Sequence, residues 1–206
     1  MRFLKENKGL ILLAFLLVPA FYFDKTIMTW VKEHRAFQGE AWYQPIDNLV
    51  KFSSHGATLI ILSLLVSLGT KRHSMRLSNA AKALFIGLVT AGITVQGFKH
   101  LIGRARPRVT FDAVFIGPSM SFDYDSFPSG HTTLVFCLAF ILSRDYPRYT
   151  VPFYLFAVLA AADRIAGLSH FPSDIVAGAI LGTLVGYLVL QQETLRPKHP
   201  AGLHSK

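Results

Sequence analysis

Six stretches of the chain consist almost wholly of apolar residues, and polar segments separate each from the next. They are residues 9–23, 55–70, 82–98, 130–143, 150–163 and 174–190. Each is near or slightly below the ~20 apolar residues that a helix needs to span a bilayer. The pattern therefore predicts an all-α polytopic membrane protein with six transmembrane helices in a bundle. We expect residues 1–206 to form a single membrane domain that ends in a polar tail at 191–206.

The composition excludes several other classes of protein. Of the 206 residues, 51% are apolar and only 16% are charged, and the mean hydropathy is +0.39. These values do not describe a water-soluble globule or a disordered chain. The single cysteine, Cys137, lies inside an apolar stretch and has no second cysteine to pair with, so a disulfide scaffold is excluded as well.

The first apolar stretch is similar to a cleavable signal peptide as well as to a membrane anchor. Cations precede it, and Val18-Pro19-Ala20 is a candidate cleavage site. Three bulky aromatic residues, at 21–23, extend the apolar run beyond that point. We therefore favour an uncleaved anchor, with cleavage as the alternative.

Two of the connecting segments are long enough to hold structure of their own. The segment at 24–54 contains Trp30, Trp42 and Tyr43, and such aromatic residues favour the membrane interface. It predicts a short helix along the outer surface. The segment at 108–127 predicts an irregular cap over what lies beneath it.

Asp123 and Asp125 in the second segment raise the alternative of a metal site. Such a site usually needs a histidine or a third carboxylate at ligand spacing, which this pair lacks. We expect both carboxylates to be solvated and expect no metal site.

The formal net charge of +9 has a pattern that favours a membrane over nucleic acid. Nucleic-acid binding needs a basic patch on a soluble face with base-reading side chains nearby. With six spans, both termini and the second and fourth loops share one side, which carries twelve Lys or Arg and three acids. The other side carries nine of each. Because basic loops stay in the cytoplasm, we expect both termini inside and loops one, three and five outside.

Four cations lie within ten residues at the end of the third apolar stretch: Lys99, Arg104, Arg106 and Arg108. Charge beside hydrocarbon is costly and usually persists because it binds something anionic. The planar fork of Arg and the point charge of Lys both suit phosphate oxygens. Contact with lipid head groups explains this stretch alone equally well. Pro107 is expected to end the helix and to fix the direction of Arg106.

The segment Phe127–His131 opens the fourth apolar stretch. Ser129 is a candidate N-cap, and the free N–H groups of the next turn, with Gly130 allowing close approach, form a potential anion site. His131 stands in the same first turn. A capping serine is commonplace, whereas a histidine at this place favours chemistry.

A third polar segment, residues 163–174, joins the last two apolar stretches. Pro172 suits the first turn of the last helix, which places His170 just before that helix and Asp174 within its first turn. A carboxylate four residues from an imidazole can hold one ring nitrogen as N–H, leaving the other as a nucleophile or base. Taken alone, His170 is compatible with an ordinary loop histidine. The presence of Arg164 on the same side of the membrane favours a catalytic role.

Taken together, the three segments resemble the three-part signature of the type 2 phosphatidic acid phosphatase superfamily. The matching residues are Lys99 with Arg106-Pro107, then Pro128-Ser129-Gly130-His131, then Arg164 with His170 and Asp174. The order of the motifs and the six-span frame extend the resemblance across the chain. Asp163 departs from the family, which commonly has Ser there, and a carboxylate at this place is suited to orient Arg164.

The resemblance implies a role for each of these residues. His170 would attack phosphorus to form a phosphohistidine, Asp174 would orient His170, and His131 would protonate the leaving oxygen and later activate water. The phosphate-binding groups would be Lys99, Arg106, Ser129, the Gly130 amide and Arg164. The family works without a metal or a cofactor, by positioning and electrostatics.

The substrate expected from this location is a phosphate whose hydrophobic tail stays in the bilayer. The candidates are a polyprenyl diphosphate, phosphatidylglycerol phosphate, phosphatidic acid and the anomeric phosphate of lipid A. Arg104 and Arg108 are extra to the motif and would suit a second phosphate or lipid head groups. The compact loops favour a bacterial inner membrane, with the site facing outward.

Three other classes are compatible with parts of this pattern. A lipid-to-lipid phosphotransferase would use the same residues, with another alcohol in place of water. A soluble haloperoxidase would share the anion site, but six apolar stretches argue against it. A transporter or a structural membrane protein would not need paired histidines on one side.

Overall fold

The computed structural model describes residues 8–35, 43–70 and 75–195, and the regular structure in these residues is helical. The α-helices are α1 (Lys8–His34), α2 (Tyr43–Ser53), α3 (Gly56–Thr70), α4 (Met75–Ile102), α5 (Gly130–Asp145), α6 (Thr150–Ala166) and α7 (Pro172–Leu195). Short 3₁₀ helices occupy Phe122–Tyr124 and Pro147–Tyr149. In these three ranges the β-structure amounts to one isolated bridge, between Arg104 and Phe115. The predicted all-α class is confirmed for this part of the chain.

Four of the helices are long and apolar enough to cross a membrane. The apolar segments are Ala14–His34, Leu77–Ile102, Pro147–Ala166 and Pro172–Gln192. Helices α3 and α5 have 15 and 16 residues. At 1.5 Å per residue each spans ~24 Å, which is short of a hydrocarbon core of ~30 Å. The described helices thus support a polytopic membrane protein with four spans by length and composition, and the count of six stays a prediction.

The predicted end of the first span was wrong. Helix α1 continues through Pro19 and past residue 23 to His34. The sequence predicts that Asp24 begins a polar loop, but the structure buries it, at 3% exposure, inside the helix bundle. The carboxylate of Asp24 ends the apolar run in the sequence. It does not end the helix, because it has a buried partner.

The structure also describes the segment after α1 and the end of the last helix. A short helix, α2, lies within the segment at 24–54, as expected, and its position on a membrane surface stays a prediction. Helix α7 extends to Leu195, beyond the predicted start of the tail at 191. Trp42, the cations before Lys8 and the tail beyond residue 195 lie outside the described residues.

Helix α5 is the central element of the bundle. It packs against α4, α6 and α7, while α7 also contacts α1 and α4. Val135, Cys137, Ala139 and Ile141 on α5 are all fully buried in the apolar core. A change in the position of α5 therefore affects three interfaces at once.

Three glycines at four-residue spacing on α7 allow close contact with α5. They are Gly178, Gly182 and Gly186. A Cβ atom at Gly182 would lie 2.1 Å from the carbonyl oxygen of Thr133, and one at Gly178 would lie 2.7 Å from that of Ser129. Small residues at this spacing let two helix backbones approach each other. The contact brings the N-terminal end of α5 against the N-terminal end of α7.

Replacing Gly182 by Ala should destabilise the protein by ~1–3 kcal/mol, because the added methyl group must push the two helices apart. We expect a lower midpoint of thermal unfolding in detergent. Gly97→Ala is the matched control, since a Cβ there meets no atom within 4 Å. Equal unfolding midpoints for Gly182→Ala and the wild type would contradict this close packing.

Candidate active site

The three polar segments singled out in the sequence meet at one end of the bundle. They are the end of α4, the start of α5 and the connection between α6 and α7. The Ser129 N–H donates to the carbonyl of Asp174 over 3.0 Å, which joins the start of α5 to that of α7. Arg106 Nη1 lies 3.5 Å from the carbonyl oxygen of Ser169, which joins the first segment to the third. The irregular segment between α4 and α5 covers this end, as expected.

Helix α4 ends earlier than the sequence predicted. Its last residue is Ile102, whereas Pro107 was expected to end it. Gly103 has a φ of +59°, in the left-handed region that favours glycine, and its N–H donates to the Lys99 carbonyl at 3.0 Å. Arg106 therefore lies on an extended segment rather than on the helix. There it contacts the covering segment.

Lys99 and Arg106 converge on one carboxylate. Lys99 Nζ lies 2.5 Å from the Asp125 carbonyl and 3.5 Å from its Oδ2, and Arg106 Nε donates to Oδ1 over 2.7 Å. Both cations are buried, with 5% and 7% exposure. Asp125 was expected to be solvated, and this was wrong, because the covering segment places it over the two cations. An anion is thus already stabilised at this point by the two side chains predicted to bind phosphate.

Arg164, in the last turn of α6, has a donor without a partner. Its Nη2 contacts Asp163, in agreement with the orienting role expected for that carboxylate. Its Nε is buried and has no hydrogen-bond partner among the described residues. A buried donor without a partner is costly, and an anionic ligand would satisfy it. The Arg164 carbonyl accepts the N–H of His170 at 3.3 Å, so the two residues are neighbours.

The start of α5 offers free backbone donors, although not through the expected cap. Ser129 occupies the N-cap position, but its side chain makes no capping hydrogen bond. Its Oγ instead accepts from Thr132 Oγ1 over 3.0 Å. The first N–H groups of a helix have no partner within the helix and attract anions. A Cβ at Gly130 would lie 3.6 Å from Cε of Lys99, so these N–H groups lie beside a cation.

His170 is held with one ring nitrogen as a donor. Its Nδ1 lies 2.8 Å from the carbonyl oxygen of Ser126 and 3.5 Å from Asp174 Oδ2. Both neighbours are acceptors, which assigns the proton to Nδ1 and leaves a lone pair on Nε2. Burial lowers the pKa of His170 to about 4, although Asp174 acts in the opposite direction. The imidazole is therefore neutral near neutral pH, as a nucleophile must be.

Asp174 orients His170 less directly than the sequence predicted. Its Oδ2 accepts the Phe171 N–H over 2.8 Å and the Ser126 hydroxyl over 2.6 Å. A carboxylate in the first turn that bonds the N–H before a helix forms half of a capping box. Asp174 thus fixes the residue after His170 and also the residue whose carbonyl holds the imidazole. The short hydrogen bond of His170 runs from its Nδ1–H to the backbone carbonyl of Ser126, an acceptor that no side-chain pattern could indicate.

His131 lies in the first turn of α5, near Arg164, His170 and Lys99. Its side chain is partly exposed and makes no hydrogen bond to the described residues. The ring of His55, which lies just before α3, is 6.4 Å away between centroids. A ring nitrogen of His131 is therefore available to a ligand.

Arg104 is not available to a second phosphate or to lipid head groups, and that expectation was wrong. It is completely buried, and it contacts Asp24 at 2.6 Å, Ser173 at 2.7 Å and Asp174. Arg108 is exposed and pairs with Asp123 at 2.8 Å. The signal for Asp24 was present in the sequence, since a carboxylate within an apolar helix needs a partner.

Comparisons with known proteins show which family and which relatives the chain is similar to. A model of the PAP2 superfamily matches residues 80–198. The lipid A 1-phosphatase of Rhizobium johnstonii is 36% identical over 125 residues, which cover 58% of this chain and 50% of that protein. The lipid A 1-phosphatase of Rhizobium etli is 33% identical over 149 residues, which cover 71% of this chain and 62% of that protein. The chain thus spans about half to three-fifths of the length of these two relatives.

A solved structure shares the fold. It is the first transmembrane PAP2 type phosphatidylglycerolphosphate phosphatase of Bacillus subtilis, which aligns with a TM-score of 0.64 over 92% of this chain and 98% of that one, at 18% identity. The family model spans more than half of the chain and contains all three polar segments, from Lys99 to Asp174. The chain therefore belongs to the PAP2 superfamily.

Proposed function

We propose that this protein is a membrane phosphatase that hydrolyses a lipid phosphate through a phosphohistidine on His170. The observation that carries the proposal is the buried imidazole of His170, whose Nδ1 lies 2.8 Å from the carbonyl oxygen of Ser126. This contact leaves Nε2 for the substrate, since that atom makes no hydrogen bond to the described residues. Lys99, Arg106 and Arg164 lie near it, in the same site as the N-terminus of α5. Membership of the PAP2 superfamily supports the same activity.

The first step forms the phosphoenzyme. His170 Nε2 attacks phosphorus, the P–N bond forms, and the bond from phosphorus to the lipid oxygen breaks. His131 gives that oxygen its proton, so the lipid alcohol leaves neutral. Lys99, Arg106 and Arg164, with the N–H groups at Gly130, stabilise the charge on the phosphoryl oxygens.

The second step returns the enzyme to its first state. His131, now neutral, takes a proton from water, the water oxygen attacks phosphorus, and the P–N bond breaks to release inorganic phosphate. In the alternative activity a lipid alcohol replaces water, and the product is a new lipid phosphate. Charge stabilisation comes from side chains of the chain itself, so we expect turnover to persist in the presence of a chelator.

The substrate class follows from the position of the site at the end of apolar helices. A phosphate can reach it while its acyl or prenyl tail stays in the bilayer. The names of the two relatives favour the anomeric phosphate of a lipid A-type glycolipid as the first substrate to assay. Phosphatidylglycerol phosphate, phosphatidic acid and a polyprenyl diphosphate complete the panel.

Replacing His170 by Ala should abolish turnover, because it removes the nitrogen that forms the P–N bond. A rapid quench in alkaline denaturant, which preserves the acid-labile P–N bond, should trap a ³²P-labelled covalent phosphoenzyme from a labelled lipid phosphate in the wild type and none in the variant. The rate of phosphate release by each purified protein is measured in parallel, with and without chelator. Substantial turnover by folded His170→Ala protein would rule out the mechanism.

The effect of replacing His131 on the rate of the first step should depend on the leaving group of the substrate. General acid catalysis is worth ~10²–10⁴-fold, and it matters most when a lipid alkoxide must be protonated. His131→Ala should therefore slow the first step strongly with an alkyl phosphate and much less with an aryl phosphate, whose phenolate leaves unaided. The initial burst must be compared, since His131 also acts in the second step. Equal burst losses with both substrates would mean that His131 only binds phosphate.

We also propose that both termini are cytoplasmic and that the site faces the periplasm or exterior, because basic residues concentrate on the other side. In a Cys137→Ala background, Met120→Cys should react with an impermeant thiol reagent in intact bacterial cells. Met120 is 84% exposed in the covering segment. Arg148→Cys, at the opposite end of the bundle, should react only after the membrane is broken. The reverse labelling pattern would place the site on the cytoplasmic side.

A further inference from the structure

We propose that Asp24 is a positioning residue for the reaction, because it offsets the charge of Arg104 and so lets Asp174 act on His170 as a net negative group. The inference rests on the proposed role of His170 as the nucleophile. Asp24 lies on α1, outside the segment matched by the family model. It acts through two other residues and touches no substrate.

The geometry joins α1 to the site through one guanidinium. Arg104 Nη2 lies 2.6 Å from Asp24 Oδ2, and its Nη1 contacts Asp174 Oδ1. The guanidinium carbon also lies 4.2 Å from the centre of the Phe171 ring and 5.0 Å from that of Phe21. With no exposed surface, the Arg104 side chain is separated from water by these rings and carboxylates.

Asp24 is held in place independently of Arg104. Its Oδ1 accepts the N–H of Ser173 over 2.9 Å, and its Oδ2 accepts the Ser173 hydroxyl. Ser173 lies in the first turn of α7, directly before Asp174. The carboxylate of Asp24 is thus fixed at the same helix end as the group that it influences.

The charges of this cluster do not cancel. Two carboxylates and one guanidinium leave a net charge of −1, buried beside His170. If Asp24 were neutral, Arg104 and Asp174 would form a neutral pair, and the guanidinium would oppose the field of Asp174 at the imidazole. Water does not screen this field, since Arg104 and Asp174 are both completely buried.

The net negative charge matters at one stage of the reaction. When Nε2 bonds to phosphorus and Nδ1 keeps its proton, the ring of His170 becomes positively charged. A buried negative group nearby stabilises this charge as it develops, and hence lowers the barrier to the phosphoenzyme. The same negative charge does not favour the ground-state binding of phosphate, an anion that the cations of the site hold.

The test replaces Asp24 by Asn, which keeps the shape of the side chain and removes its charge. With an aryl phosphate, the rate constant of the phenolate burst should fall at least ~10-fold, a loss of transition-state stabilisation. The inhibition constant of inorganic phosphate should not rise in the variant, since the phosphate-binding cations are unchanged and the charge that is removed is negative. Asp24→Glu restores the charge and should recover most of the burst rate. Asp112→Asn removes an exposed carboxylate that pairs with Lys25, and it is the matched control.

The outcomes separate this inference from the proposed function. A normal burst rate in Asp24→Asn, with a phosphoenzyme still trapped in the wild type, overturns the inference alone. If Asp24→Glu protein folds but loses as much of the burst rate as Asp24→Asn, the inference is overturned as well. The charge of Asp24 would then not be the cause of the loss. Comparison of Asp24→Glu with the wild type also decides the matter if Asp24→Asn does not fold. Absence of a phosphoenzyme on His170 in the wild type removes the proposed function itself.

Discussion

A guanidinium buried in an apolar interior needs carboxylates around it, because removing one partner of a buried ion pair costs ~3–5 kcal/mol. Arg104 is such a group, and its two partners come from opposite ends of the chain, at Asp24 and Asp174. The requirement fixes α1 against the start of α7. It also fixes the carboxylate that anchors the two segments around His170. Order at this end of the bundle thus depends on one charge cluster.

Close packing of α7 against α5 also holds this end of the bundle together. The glycines of α7 bring its backbone against α5, and the Ser129 N–H bonds the carbonyl of Asp174. The helix that carries His131 and the loop that carries His170 are therefore held at a fixed separation. Rigid placement of two reacting groups by secondary structure is what phosphoryl transfer requires, since the protein contributes mainly positioning and electrostatics.

The sequence predicted the local structure correctly where a helix-starting residue lies beside the reactive residues. Pro172 indicated the start of α7, which placed His170 before the helix and Asp174 in its first turn, as the structure has them. The sequence did not indicate contacts between residues that lie far apart along the chain. Asp24 is 80 residues from Arg104, so its charge looked like the end of a span. The acceptor for His170 is a backbone carbonyl of Ser126, and every residue type carries that group.

The state of the His170 imidazole is the central claim, and ¹⁵N NMR of histidine-labelled protein tests it most directly. The His170 signals can be assigned by their loss in His170→Ala. Its pKa lies at about 4, below the ordinary 6.5, so lowering the pH should leave the ring neutral until that range is reached. We expect a neutral ring with the proton on Nδ1 at about pH 7 and still at about pH 5.5. A cationic ring at about pH 6, or a proton on Nε2, would contradict it.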